Sequence, residues 1–152
     1  MKLSSHLSQS KSTVFTFEIL PPIKGQDIKE IFETVEALLE FNPQFIDVTY
    51  HRQDTIFVEQ PNGKIEKRIH RKRPGTVGIC AAILNKYKID PVPHIICGGF
   101  SRQETEDALI DLYFLGIDNI LVLQGDKKSA DKSFVPEIKY SNNSKNKQRK
   151  AQ

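Results

Sequence analysis

Glu18, Asp126, His94, Thr49 and Cys97 are the residues of this 152-residue chain whose types and surroundings could do chemistry. Glu18 stands inside the apolar run 14–20, where an unpaired carboxylate is costly. It either pairs with a basic residue for structural reasons or serves as an acid whose apolar surroundings favour the protonated form. Asp126 follows Gly125 and could join such an acid or simply shape a turn. Two carboxylates facing one pocket would make an acid/base pair with divided roles. His94, at the head of an apolar stretch, reads as a packed histidine or as a ligand contact. Thr49 is a good strand former. Cys97 reads as a small buried residue, with nothing adjacent to lower its thiol.

For these residues to meet, the chain must carry them to one place, and its pattern predicts how. Residues 14–20 are aromatic and β-branched and are stopped by Pro21-Pro22, which predicts a buried strand. From Asp27 to Phe41 the apolar positions Ile28, Ile31, Phe32, Val35, Leu38 and Leu39 recur at helical spacing, and Asn42-Pro43 ends the helix. Residues 45–50 form a second strand, so the opening is a βαβ unit that favours a parallel sheet. Residues 51–74 read as a long polar loop, with a short hairpin possible around Asn62-Gly63. Its cluster Lys64, Lys67, Arg68, Arg71, Lys72 and Arg73 fits a solvated surface better than an anion site. A small apolar helix spans 76–87, and a third strand spans 93–97, closed by Gly98-Gly99. Ser101 and Glu104 then have the spacing of a capping box. Ala108, Leu109, Leu112, Tyr113 and Leu115 form the expected buried stripe, with Gly116 as terminator. A fourth strand, 119–124, ends at Gly125-Asp126. In a parallel sheet all carboxyl ends lie on one side, where α/β proteins build their ligand sites. Glu18, Thr49-Tyr50, His94 and Asp126 would meet there.

Composition narrows the field. The 38% hydrophobic and 27% charged fractions are ordinary for a globular domain, and no apolar run reaches membrane-spanning length. Residues 1–13 lack the apolar segment of a secretory signal and read as a flexible segment. Two cysteines with no CxxC spacing argue against a zinc ribbon or disulfide framework, imply no metal, and fit a cytoplasmic location. Of the net charge of +3, the body before Lys139 carries −2, with 17 basic and 19 acidic residues, and the tail 139–152 carries +5. That tail is polar and reads as disordered. It is short and has a single aromatic, which makes nucleic acid a poor partner.

The strings Phe15-Thr16-Phe17-Glu18-Ile19-Leu20-Pro21-Pro22, Asp47-Val48-Thr49-Tyr50, Pro93-His94-Ile95-Ile96-Cys97 and Leu121-Val122-Leu123-Gln124-Gly125-Asp126 occur in order. Together they resemble the amino-terminal half of the methylenetetrahydrofolate reductase family over about residues 13–126. The resemblance implies an α/β fold of the parallel β/α (TIM) barrel type, of which residues 14–138 hold only the first four βα units. It implies FAD as cofactor, NADH or NADPH as electron donor, and a folate substrate reduced from the methylene to the methyl form for methionine synthesis. It assigns Glu18 as the general acid and Asp126 as a catalytic residue beside flavin and pterin. Thr49, Tyr50, His94, Leu123, Gln124, Gly125 and Asp126 become cofactor contacts. The family commonly carries Arg where this chain has Gln124, which removes a cation near the flavin phosphates. A barrel of this type takes about 250 residues. The resemblance therefore implies a truncated chain, impaired on its own, with a homo-oligomer or a complementing second half as partner. The alternative is a non-catalytic half-barrel module that assembles through its open strand edges.

Overall fold

The computed structural model describes residues 2–98 and 100–125. Asp126 and the expected tail 139–152 lie outside the described residues. In chain order the elements are α1 (Leu3–Gln9), β1 (Phe17–Ile19), α2 (Lys29–Leu38), β2 (Phe45–Val48), β3 (Asp54–Glu59), β4 (Ile65–His70), α3 (Thr76–Tyr87), β5 (Asp90–Ile96), α4 (Arg102–Phe114) and β6 (Leu121–Leu123). Four strands form one sheet in the order β1-β2-β5-β6, and every pairing in it is parallel. This is the α/β arrangement expected, and it is compatible with part of a barrel.

Side-chain alternation along the strands divides the sheet into two chemically different faces. Ile19, Ile46, Val48 and Ile95 point to one face and pack against Ile31 and Val35 of α2, Ile79, Cys80 and Ile83 of α3, and Ala108 and Leu112 of α4. Full burial of a side chain such as Ile46, Ile83 or Leu112 contributes about 1.5–3 kcal/mol, so this face holds the domain together. Glu18, Asp47 and His94 are out of phase with that set by one residue and occupy the other face.

The helix ends follow local chemistry. α2 gives way to a 3-10 turn over Leu39–Phe41 that stops at Asn42, held at φ 49°, and Pro43 prevents continuation. α3 occupies the expected span. At the start of α4 both bonds of the capping box are made: Glu104 N donates to Ser101 Oγ at 3.2 Å, and Ser101 N donates to Glu104 Oε2 at 2.8 Å. Gly116, at φ +72°, ends the helix.

Several expectations change in the structure. Of the stripe assigned to α4, only Ala108 and Leu112 are buried, while Leu109, Tyr113 and Leu115 are exposed. The helix is apolar on two sides, and only one of them meets the sheet and α3. Residues 51–74 are less irregular than a loop. β3 and β4 form an antiparallel hairpin whose turn uses Gly63 at φ +76° and the Asn62 side chain, which accepts from Lys64 N at 3.0 Å. Within it Arg68 pairs with Glu66 and Lys72 with Asp54, while Arg73 donates to the Pro21 carbonyl. Much of the basic cluster is therefore used within the fold, in keeping with a solvated surface. Residues 3–9, in the segment expected to be flexible, are the helix α1. Leu3 N donates to Asn119 Oδ1 at 2.7 Å, and His6 meets Asp90 at 3.0 Å, both near the amino ends of strands.

β5 begins at Asp90 and so contains Pro91 and Pro93. Pairing with β6 starts only at His94↔Leu121, and Cys97 N donates to Leu123 O. Residues 91, 93, 95 and 97 direct their backbone groups to that same side. The two prolines therefore fall where β6 has not begun, and no ladder bond is lost.

Candidate functional site

The carboxyl ends of the parallel strands meet at a cleft of about 620 Å³. Glu18 enters from β1, Thr49 to Arg52 from the end of β2, His94 and Ile96 from β5, and Leu123 to Gly125 from β6. The register accounts for the grouping. Glu18 stands beside Asp47, and His94 beside Leu121, so side chains far apart in sequence project from one face. Beyond the last sheet pairs, Gly98 N donates to Gln124 O and holds the β6 exit against the β5 exit. Gly125 has φ +82°, and a Cβ there would come within 3.2 Å of Ile96 Cβ. Only glycine meets both conditions without strain.

His94 is the most enclosed polar side chain of the cleft, with 4% exposure. Its Nε2 lies 3.8 Å from Glu18 Oε2 and 3.7 Å from Asp47 Oδ1, beyond direct hydrogen-bond range. Among the described residues Nε2 has no hydrogen-bond partner. A buried, unsatisfied ring nitrogen is costly, and this one is enclosed beside the cleft with the Glu18 and Asp47 carboxylates on either hand. Asp47 is fixed from its other side, where Thr16 Oγ1 donates to Oδ2 at 2.9 Å. Thr49 Oγ1 reaches the Ile19 carbonyl at 3.3 Å, so its hydroxyl braces β1 as well as lining the cleft. Tyr50 packs against Phe100 with the rings tilted and their centroids 4.5 Å apart.

The sequence-predicted residues Glu18, Thr49, Tyr50, His94, Leu123, Gln124 and Gly125 all line this cleft. Asp126 lies outside the described residues, one position past Gly125. Glu18 departs from expectation in one respect. Its side chain is 62% exposed, because β1 is short and the cleft face beside it is open, so the expected apolar enclosure is absent. Cys97 is exposed, not buried, because it sits in the turn after β5. Sequence reasoning passed over Asp47, His51, Arg52 and Ile96 as site residues. Asp47 had a usable signal: it precedes Thr49 by two positions and so shares its face. Behind the sheet, burial pushes the Cys80 thiol up, and the charge of Asp47 adds to that effect.

The methylenetetrahydrofolate reductase family model matches residues 2–145. The chain is similar to the probable methylenetetrahydrofolate reductase (NADH) of Oryza sativa subsp. japonica, with 24% identity over 81% of this chain and 18% of the relative. It is also similar to methylenetetrahydrofolate reductase 2 of Saccharomyces cerevisiae, with 24% identity over 89% of this chain and 20% of the relative. A bacterial relative, the 5,10-methylenetetrahydrofolate reductase of Pectobacterium carotovorum, is 23% identical over 73% of this chain and 32% of its own length. The chain thus spans about a fifth of the plant and yeast relatives and about a third of the bacterial one. With residues 2–145 matched by the family model, this chain belongs to the methylenetetrahydrofolate reductase family.

Proposed function

We propose that this chain supplies one wall of a flavin-dependent methylenetetrahydrofolate reductase site, carried on the first four βα units of a parallel β/α barrel. The observation that carries this reading is the convergence of Glu18, Thr49, Tyr50, His94 and the Leu123–Gly125 segment on a single cleft at the carboxyl-terminal rim of the sheet. The cleft suits a flat aromatic heterocycle such as the isoalloxazine of FAD. Ile96 and Leu123 supply apolar wall, Gly125 permits close approach of backbone, and His94 Nε2 offers an unsatisfied polar atom. FAD, when bound, supplies hydride transfer between NADH or NADPH and the folate.

The chain's own residues divide the remaining work. Glu18 holds the proton delivered to the folate ring nitrogen as the five-membered ring opens, acting as general acid. Its exposure means that this role depends on cofactor and substrate excluding water from around the carboxyl. Thr49, Tyr50, His94, Leu123, Gln124 and Gly125 orient the flavin. Asp126, next along the chain from Gly125, orients the folate beside it. The electron donor is a nicotinamide, and the names of relatives include both an NADH and an NADPH form.

The test is titration of the purified chain with FAD, followed by flavin fluorescence. Saturable quenching is expected, weak because one wall alone is present. His94→Ala should weaken it by about tenfold, the effect of one lost hydrogen bond of ordinary strength. Absence of saturable binding at millimolar FAD would sink the flavin reading.

A second reading, a half-barrel module that assembles with a copy of itself or with a complementing half, is favoured by a separate observation. On α4, Leu109, Ile110, Tyr113 and Phe114 form an exposed apolar face, and β6 pairs only with β5 among the described residues.

A further inference from the structure

The β1–β2 register sets Glu18 directly beside Asp47, two carboxylates on neighbouring strands and on the same face. Like charges so placed are destabilising unless something positive or hydrogen-bond-donating lies between them. His94 Nε2 is that atom, nearly equidistant from the two at 3.8 and 3.7 Å. A bare lone pair on Nε2 would face two carboxylate oxygens, whereas a proton there meets both favourably.

The two carboxylates differ in how firmly they are held. Asp47 is 17% exposed and tied through Oδ2 to the Thr16 hydroxyl, which leaves Oδ1 aimed at the imidazole. Glu18 is 62% exposed, and none of the hydrogen bonds described above holds its carboxylate. We propose that Asp47 is a positioning residue: anchored by Thr16, it holds the His94 ring with its proton on Nε2, turned into the cleft beside Glu18. Nε2 itself has almost no exposed surface, so the donor meets a ligand as the exposed Glu18 side chain turns toward that ligand and uncovers it. The remaining charged groups that line the cleft, His51 and Arg52, enter from the segment after β2. From α3 the uncharged Thr76 hydroxyl donates to the His94 backbone carbonyl at 3.4 Å.

The functional part of this inference rests on the cleft being the flavin and folate site; the tautomer itself does not. The test is long-range 1H–15N correlation of the imidazole signals in histidine-labelled full chain, with His94 identified by its loss in His94→Asn. Wild type should show His94 protonated at Nε2. Asp47→Asn should move the ring toward the Nδ1-protonated form, Asp47→Glu should restore the original pattern, and Glu18→Gln should have the smaller effect. An unchanged His94 pattern in folded Asp47→Asn, or a larger effect from Glu18→Gln, overturns the assignment. Should Asp47→Asn fail to fold, Thr16→Val serves in its place. It keeps the carboxylate but frees it, so a mixture of tautomers is expected and an unchanged pattern again overturns the assignment. In parallel, Asp47→Asn should weaken FAD binding by about tenfold, as loss of one hydrogen bond from a correctly turned His94 would. A tautomer that moves while wild type binds no FAD would reject the flavin reading and leave the positioning role standing.

Discussion

Cys80 and Cys97 put the same side chain into opposite settings. Cys80 is sealed in the core, where burial first and then the negative charge of Asp47 push its thiol up. Cys97 is exposed in the turn after β5. One thiol per chain should therefore react within minutes with a disulfide reagent at pH 8, and the second only after denaturant is added. Cys97→Ser should abolish the fast phase, which a two-step thiol count would establish. The same contrast shows what single residues reveal before folding. The cleft face of Glu18 and His94 was legible because strand ends in a parallel sheet share a rim. The exposure of Glu18 and of Cys97 was not, since both depend on how far β1 and β5 extend. Asp47 stands among apolar neighbours as Glu18 does, but what marks it is its contacts with Thr16 and His94, which come from segments distant in sequence.

Elements whose ends are marked by local chemistry were readable in advance. α4 has such marks, a complete capping box and a terminating glycine, whereas α3 has no side-chain cap and was readable from its apolar run. α1 has none: it spans seven residues, buries none of them and has no side-chain cap. Its described polar ties to the rest of the fold are Leu3 to Asn119 and His6 to Asp90, contacts no local pattern encodes. That dependence has a pH signature. Burial raises the Asp90 carboxyl, but the hydrogen bond from His6 and nearby positive charge outweigh it, and the net shift is downward. A folded value below the unfolded one means that the stabilisation is complete above about pH 4 and fades as pH falls through the lower, folded value. Acid titration followed by hydrogen exchange should thus release α1 before the α2–α3 core. Asp90→Asn should cost about 1 kcal/mol in urea denaturation at neutral pH and flatten the acid response. An α1 that stays protected at pH 3 as at pH 6 would contradict this.

For the whole molecule, the decisive contrast is between the sheet face that the helices cover and the surfaces they leave uncovered. Among the described residues the apolar side of α4 and the outer edge of β6 are left without a partner. The purified chain should associate as concentration rises, and Tyr113→Asp with Phe114→Asp should return it to a monomer with an unchanged circular dichroism spectrum. Light scattering behind a sizing column reads this directly, and a wild-type monomer at every concentration would count against assembly through this face. The doubled apolarity of α4 also explains why its buried stripe was misjudged, since periodicity reports apolar positions but not which of two sides meets the core. The shortness of β6 raises a further question, which is why a strand of only three residues should keep its alignment. Pro91 and Pro93 answer it. Sliding β6 two residues back along β5 would preserve which side chains face the helices, so side-chain packing alone does not forbid the error. That slide would ask Pro93 for an amide hydrogen it does not have and leave a carbonyl of β6 unanswered. The two rings therefore act as a ratchet stop on the last strand, and they keep Leu123 and Gly125 level with Ile96 at the mouth of the cleft.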